Sequence, residues 1–136
     1  MNREQPAMKN DKPHKNLIAW EKAMDLAVAI YEVTKQFPKE ETYALTSQLR
    51  RASISVSSNI AEGAADRTAQ QFSNFISNAI GSLNEIDTQI ELAFRFGYFS
   101  KDEQVRIYRL MDECIALAYG LRKSIRGKTT SRRVSK

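Results

Sequence analysis

Apolar positions in this chain recur every three or four residues along most of its length, the period of a helix and not of a strand. The pattern predicts four helices. The first runs from Leu17 to Gln36, with Asn16 placed to cap its N-terminus. Leu17, Trp20, Met24, Ala27 and Tyr31 form one continuous stripe on it, and Leu26, Ile30 and Val33 form a second that faces another direction. Two stripes on one helix read either as a broad core face or as a core face plus a subunit interface. Pro38 ends this helix, because its ring disfavours helical backbone at Phe37.

The second helix is expected from Glu41 or Tyr43 to Glu62, with Leu45, Leu49, Ala52, Val56 and Ile60 as its stripe and Gly63 as its stop. Ser47, Ser53, Ser55, Ser57, Ser58 and Asn59 lie between those positions; they compete for backbone hydrogen bonds but let neighbouring helices come close. The third helix, the longest, covers Ala69 to Phe96. Thr68 and Gln71 have the spacing of a capping box, and Gly97 follows as terminator. Its apolar face is Phe72, Phe75, Ile76, Ala79, Leu83, Ile86, Ile90, Ala93 and Phe94. Gly81 within it reads as a close helix crossing or as a tolerated defect costing about 1 kcal/mol relative to Ala.

The fourth helix covers Lys101 to Arg126, opened by a second capping box from Ser100 and Glu103 and closed by Gly127. Its core side is Ile107, Leu110, Met111, Cys114, Leu117, Ala118, Leu121 and Ile125. Short connections between long helices make neighbours antiparallel. The expectation is one all-α domain, an up-down four-helix bundle over residues 16–126, with a flexible segment at 1–15 and a disordered basic tail at 127–136. Trp20, Leu49, Val56, Phe75, Leu83, Leu110 and Leu117 are expected to be substantially buried.

Composition narrows the class. Apolar residues make up 42%, enough for an ordinary core, and Gly (5) and Pro (3) are too few for a turn-rich β protein. No apolar run approaches the roughly 20 residues that span a bilayer, and residues 1–15 are too polar for a signal peptide. A single cysteine allows no internal disulfide. Cytoplasmic residence is the expectation. The net charge of +5 is unevenly spread: residues 1–15 carry +2, residues 16–121 carry −4, and residues 122–136 carry seven Lys/Arg and no acid. The basic character therefore belongs to the C-terminal tail rather than to the helical body.

Little in the chain asks for catalysis. His14, the one histidine, lies in the polar N-terminal segment. Glu62, Glu85 and Glu91 have no histidine companions of the kind a di-metal bundle needs. Cys114 sits on an apolar stripe and reads as a small buried hydrophobe. No phosphate loop, zinc pattern or nucleophile elbow is present, so neither enzyme activity nor a cofactor is expected. The segment from Gln48 to Gly63 is more informative. Adjacent Arg50 and Arg51 cannot share a helix face, so one can turn inward while the other stays solvated. Asn59 and Glu62, three apart, do share a face; a buried Arg–Glu or Asn–Glu network could set the helix register, or these groups simply stay solvated.

Several of these pieces occur together and in order: Trp20 with Ala23, Phe37-Pro38, Gln48 with Arg50-Arg51-Ala52, Asn59-Ile60-Ala61-Glu62-Gly63, and Gly81-Ser82 with Glu85. Over residues 16–125 the chain resembles the bacterial four-helix bundle family of ribosomal S23-like, or 23S rRNA intervening-sequence, proteins. That family is similar in fold to the accessory protein of diversity-generating retroelements, a ring-like homopentamer that binds a reverse transcriptase and nucleic acid. The resemblance implies a homopentamer, with RNA or DNA and a reverse transcriptase or other protein as partners. Retroelement accessory proteins carry strongly basic bodies, whereas residues 16–121 here sum to −4. Nucleic-acid contact is therefore expected of Arg50, Arg51 and the tail residues Arg122, Lys123, Arg126, Lys128, Arg132 and Arg133. The alternative is a structural or scaffolding homo-oligomer whose basic tail keeps it soluble.

Overall fold

The computed structural model describes residues 13–65 and 67–134, with residues 16 and 129–134 described by their backbone alone. Among the described residues, four α-helices form: α1 (Ile18–Thr34), α2 (Leu45–Ala64), α3 (Ala69–Arg95) and α4 (Lys101–Val134), with 3-10 turns at Pro13–Asn16 and Lys39–Glu41. No strand occurs among the described residues. Each helix packs against the next in sequence, and α4 returns to pack against α1, so the antiparallel bundle closes on itself.

Each seam of the bundle carries a polar tie that sets its register. Ser82 Oγ donates to Ser55 Oγ (2.9 Å) and Gln89 Nε2 to Gln48 Oε1 (3.2 Å) between α2 and α3. Arg122 and Arg126 reach from α4 to Ser77 and Ser73 on α3, both at 3.0 Å. Lys22 pairs with Glu113 across the α1–α4 seam at 3.0 Å. Arg50 ties α2 to Thr34 on α1 at 2.9 Å.

The interior is aliphatic. Leu26, Ile30, Leu49, Ile60, Ile76, Leu83, Ile86, Ile90 and Ile107 are all fully enclosed. Each such side chain contributes about 1.5–3 kcal/mol through burial. One group of aromatic residues clusters at the end where α1 passes to α2 and α3 to α4. Phe37 stacks on Phe99 (6.2 Å between ring centroids) and tilts against Tyr98 (5.2 Å).

Local signals placed several boundaries correctly. Thr68 Oγ1 accepts from the Gln71 amide, and Gln71 returns a bond to the Thr68 amide, both at 3.1 Å. Ser100 and Glu103 do the same for α4. Gly97, with φ of 79°, lets Tyr98 N–H reach the Ala93 carbonyl (3.0 Å) and its own N–H reach Phe94 (2.9 Å), the paired bonds of a Schellman stop.

Other expectations need correction. Leu17, not Asn16, precedes α1, with no side-chain cap bond; Asn16 belongs to the turn before it. The two α1 stripes, whose roles the period left open, now separate. Leu26, Ile30 and Val33 join Ala19 and Ala23 in the core, while Met24 and Tyr31 remain 40% and 38% exposed. Leu49, Val56 and Leu83 are fully buried as expected, and Trp20, Phe75, Leu110 and Leu117 are partly buried. α2 begins at Leu45, because Lys39–Glu41 forms a 3-10 turn and Ala44 is not helical (φ −123°, ψ −104°).

Gly63 is not a stop. It lies inside α2, where a Cβ would come within 2.8 Å of both Phe72 Cδ1 and Phe75 Cβ, so glycine is what lets α3 approach. Gly81 has nothing within 4 Å of a Cβ position and marks no crossing inside the chain. Nor does α4 stop at Gly127. It continues to Val134, since Gly127 keeps a negative φ and Lys and Arg are good helix formers favoured near a helix C-terminus.

Candidate nucleic-acid interface

The basic residues singled out from the sequence divide into three groups. Arg50 is committed to the fold. Its Nε donates to Thr34 Oγ1 (2.9 Å), its Nη2 to the Tyr31 carbonyl (3.4 Å), and its guanidinium lies 4.5 Å from the Tyr31 ring centroid. Thr34 in turn donates to the Ile30 carbonyl at 2.7 Å. A cation is thus fixed at the C-terminal turn of α1, where the helix dipole is negative. Arg51, on the next face, is exposed and donates to Ser47 Oγ at 3.4 Å.

Arg122, Lys123, Arg126 and Lys128 form the second group, on α4. The last acid before them is Glu113, so this part of the helix carries one sign of charge. Arg122 Nη1 bonds Ser77 Oγ, and Arg126 Nε bonds Ser73 Oγ, a hydroxyl that is itself buried. Both serines sit on the α4-facing side of α3, four residues apart, which is one helical turn. A serine hydroxyl orients a guanidinium without neutralising it. Lys123 and Lys128 are exposed, but at 3.6 residues per turn Lys128 faces away from Arg126. The side chains of Arg132 and Arg133 lie outside the described residues.

α2 and α4 are diagonal in the bundle, so Arg50 and Arg51 do not join the α4 residues in one surface. The expected Asn59–Glu62 network also takes another form. Asn59 Nδ2 donates to the Ser55 carbonyl (2.8 Å) and to Ser55 Oγ (3.0 Å), the hydroxyl that receives Ser82. Glu62 is exposed, and its backbone carbonyl accepts from Arg67 Nε at 3.3 Å.

Two residues at this end of the bundle escaped the sequence reading. Tyr119 is 46% exposed and carries the Arg122 guanidinium 4.9 Å from its ring centroid. Arg67 lies at the same end of the bundle and sits over Phe75 at 5.1 Å. The signal for Tyr119 was its position three residues before Arg122, one helical turn away. Around it lies an open groove of about 500 Å³, lined by Tyr119, Gly120, Arg122, Lys123, Arg126 and Gly127. Among the described residues, no group of His, Cys, Asp and Glu could hold a metal ion, and no helix is long and apolar enough to cross a membrane.

Comparison with known proteins returned a family and a fold. A family model described as 23S rRNA-intervening sequence protein matches residues 15–120. The match takes in Arg50, Arg51, Asn59 and Glu62 and ends before Arg122. Among solved structures, the chain is similar to a protein of unknown function from the S23 ribosomal protein family of Bacteroides thetaiotaomicron. The identity is 23% and the TM-score 0.72, over 78% of this chain and 96% of that one. At that identity the likeness establishes the fold alone. No curated protein matches the chain.

Proposed function

This chain belongs to the 23S rRNA-intervening sequence protein family, and from that premise we propose that it is a non-enzymatic accessory protein that self-associates and binds RNA or DNA through the basic face of α4. The observation that carries this reading is the pair Arg122–Ser77 and Arg126–Ser73, each 3.0 Å. Both bonds orient guanidiniums on a helix segment with no acid after Glu113. Clustered cations of this kind grip phosphates by releasing counterions, independently of sequence.

Self-association is supported by the outer stripe of α1. Met24 and Tyr31 stay exposed there, as does Ile54 on the adjoining α2. Covering this row with a second copy would remove apolar surface from water. A ring of identical subunits, five by the resemblance noted above, would multiply the α4 faces and add their modest contacts into avidity. The same stripe favours the second reading, a scaffolding homo-oligomer that binds no nucleic acid.

The test measures RNA and DNA affinity at low and moderate salt. Cutting the chain at Leu121 would remove Ile125, which is buried, so substitution is the cleaner design. A variant with Arg122, Lys123, Arg126 and Lys128 all changed to Gln is expected to lose most of its affinity and its salt dependence. Unchanged affinity would refute the α4 reading, and no binding by the wild-type chain would favour the scaffold. Light scattering that reports a 15.5 kDa monomer at micromolar concentration would refute self-association.

A further inference from the structure

Most aromatic side chains in this protein have work inside the fold. Phe37 and Phe99 are buried, and Trp20, Phe72, Phe94, Tyr98 and Tyr108 pack against the core. Tyr119 is outside that set and remains 46% exposed. One face of its ring is taken by Arg122, whose guanidinium Ser77 holds in place. Beside it is Gly120, where nothing lies within 4 Å of a Cβ position; the same holds at Gly127, seven residues and two turns further along the helix. Glycine within a helix costs about 1 kcal/mol relative to alanine, and neither glycine admits a neighbouring element of this chain. What the two glycines do is leave the groove beside Tyr119 open.

We propose that this face distinguishes single-stranded from double-stranded nucleic acid, by stacking an unpaired base on the free side of the Tyr119 ring while Arg122, Lys123 and Arg126 contact the adjoining phosphates. The inference rests on the nucleic-acid reading above and narrows it. Charge complementarity selects a polyanion, and the ring selects among polyanions. In a duplex the bases stack on one another, and the deep, narrow major groove of A-form RNA does not admit side chains, so a duplex offers Tyr119 no base face. A single strand can splay a base outward, and every base has a face to stack, which makes the contact tolerant of sequence. The guanidinium beneath the ring adds a fixed positive charge next to the stacked base and its phosphate.

The experiment uses the full chain and two variants, Tyr119→Ala and Tyr119→Phe. Fluorescence anisotropy is read with a labelled single-stranded RNA of about 20 nucleotides, longer than common single-strand site sizes, and with the blunt duplex of the same sequence, at one fixed salt concentration. The wild-type chain is expected to bind the single strand more tightly. Tyr119→Ala is expected to weaken single-strand binding about fivefold to a hundredfold and to leave duplex binding unchanged, while Tyr119→Phe keeps wild-type affinity. Because Tyr119 is half-exposed, thermal melting of all three proteins should agree. If Tyr119→Ala weakens both ligands equally, or neither, or if the duplex binds more tightly, the inference falls and the nucleic-acid reading stands. If poly-glutamate displaces the RNA at equal charge, the face serves an acidic polypeptide and the inference falls. If the wild-type chain binds neither strand form, both readings fall together.

Discussion

The two ends of the bundle use the same residue types to opposite effect. At the end where α1 passes to α2 and α3 to α4, rings pack on rings and polar groups find partners within the chain. Tyr98 Oη donates to Glu41 at 2.6 Å, Gln36 donates to Glu103, and Arg50 is bound to Thr34 and to the Tyr31 carbonyl. At the other end, Arg122 and Arg126 reach serine hydroxyls on α3, and Arg122 also lies over the Tyr119 ring. An arginine locked at a helix terminus has become part of the scaffold. An arginine oriented by a serine is arranged and still cationic, which is what an external anion requires.

The largest effect is expected from opening the aromatic end. Phe99 is 7% exposed, and Phe99→Ala should cost about 3–5 kcal/mol in denaturant unfolding. At the opposite end the sensitive position is Gly63. With Phe72 and Phe75 each 2.8 Å from a Cβ there, Gly63→Val should cost about 1–3 kcal/mol through overpacking. The sharpest form of the comparison sets arginine against arginine. Arg50→Met should lower stability by about 1 kcal/mol and leave nucleic-acid affinity alone. Changing Arg122 and Arg126 together to Gln should lower stability by less than about 1 kcal/mol, while reducing the slope of log affinity against log salt by about 2.

The smallest effect expected is that of acid. Glu91 is held below its usual range by hydrogen bonds from Arg95 and then Tyr108, and Glu103 by the Ser100 backbone amide. A carboxylate whose folded pKa is depressed adds stability above its unfolded value, near 4.5, and that contribution is lost as pH falls through the folded value. Acidification should therefore raise amide exchange around Ser100 and Glu103 first. Exchange near Ser73 and Ser77, whose hydroxyls accept from arginines, should follow only global unfolding.

Helix number, order and three of the six cap and stop signals were legible because they depend on residues a few positions apart. Both stripes of α1 satisfy the helical period, so periodicity alone could not say which one faces inward. The discriminating signal was polar: Glu21, Asp25 and Glu32 share one side of α1, and the side diametrically opposite is Ala19, Ala23, Leu26 and Ile30. The candidate site was legible only in part. Neighbouring arginines at 50 and 51 do diverge as their spacing requires, but Arg50 takes its partners from α1, sixteen residues away for Thr34. Asn59 likewise bonds Ser55, whose hydroxyl meets α3, instead of pairing with Glu62. Which serine an arginine reaches depends on the register between helices, and no local pattern encodes that.

Cys114 turns one seam of the bundle into a clock. Its thiol donates to the Lys22 carbonyl at 3.2 Å, joining residues 92 apart in sequence, and burial pushes its pKa up to about 12. α1 and α4 are the helices most distant along the chain, so the loop their pairing closes carries the largest entropy cost of the four seams. Only a thiolate reacts appreciably with an alkylating reagent. At pH 8 the closed seam should hide the thiol, and each transient parting of α1 from α4 should expose it. The rate of iodoacetamide labelling would then report how often the first and last helices separate, without any added probe. Lys22→Met, which removes the 3.0 Å ion pair with Glu113, should speed the labelling while the circular dichroism spectrum stays the same.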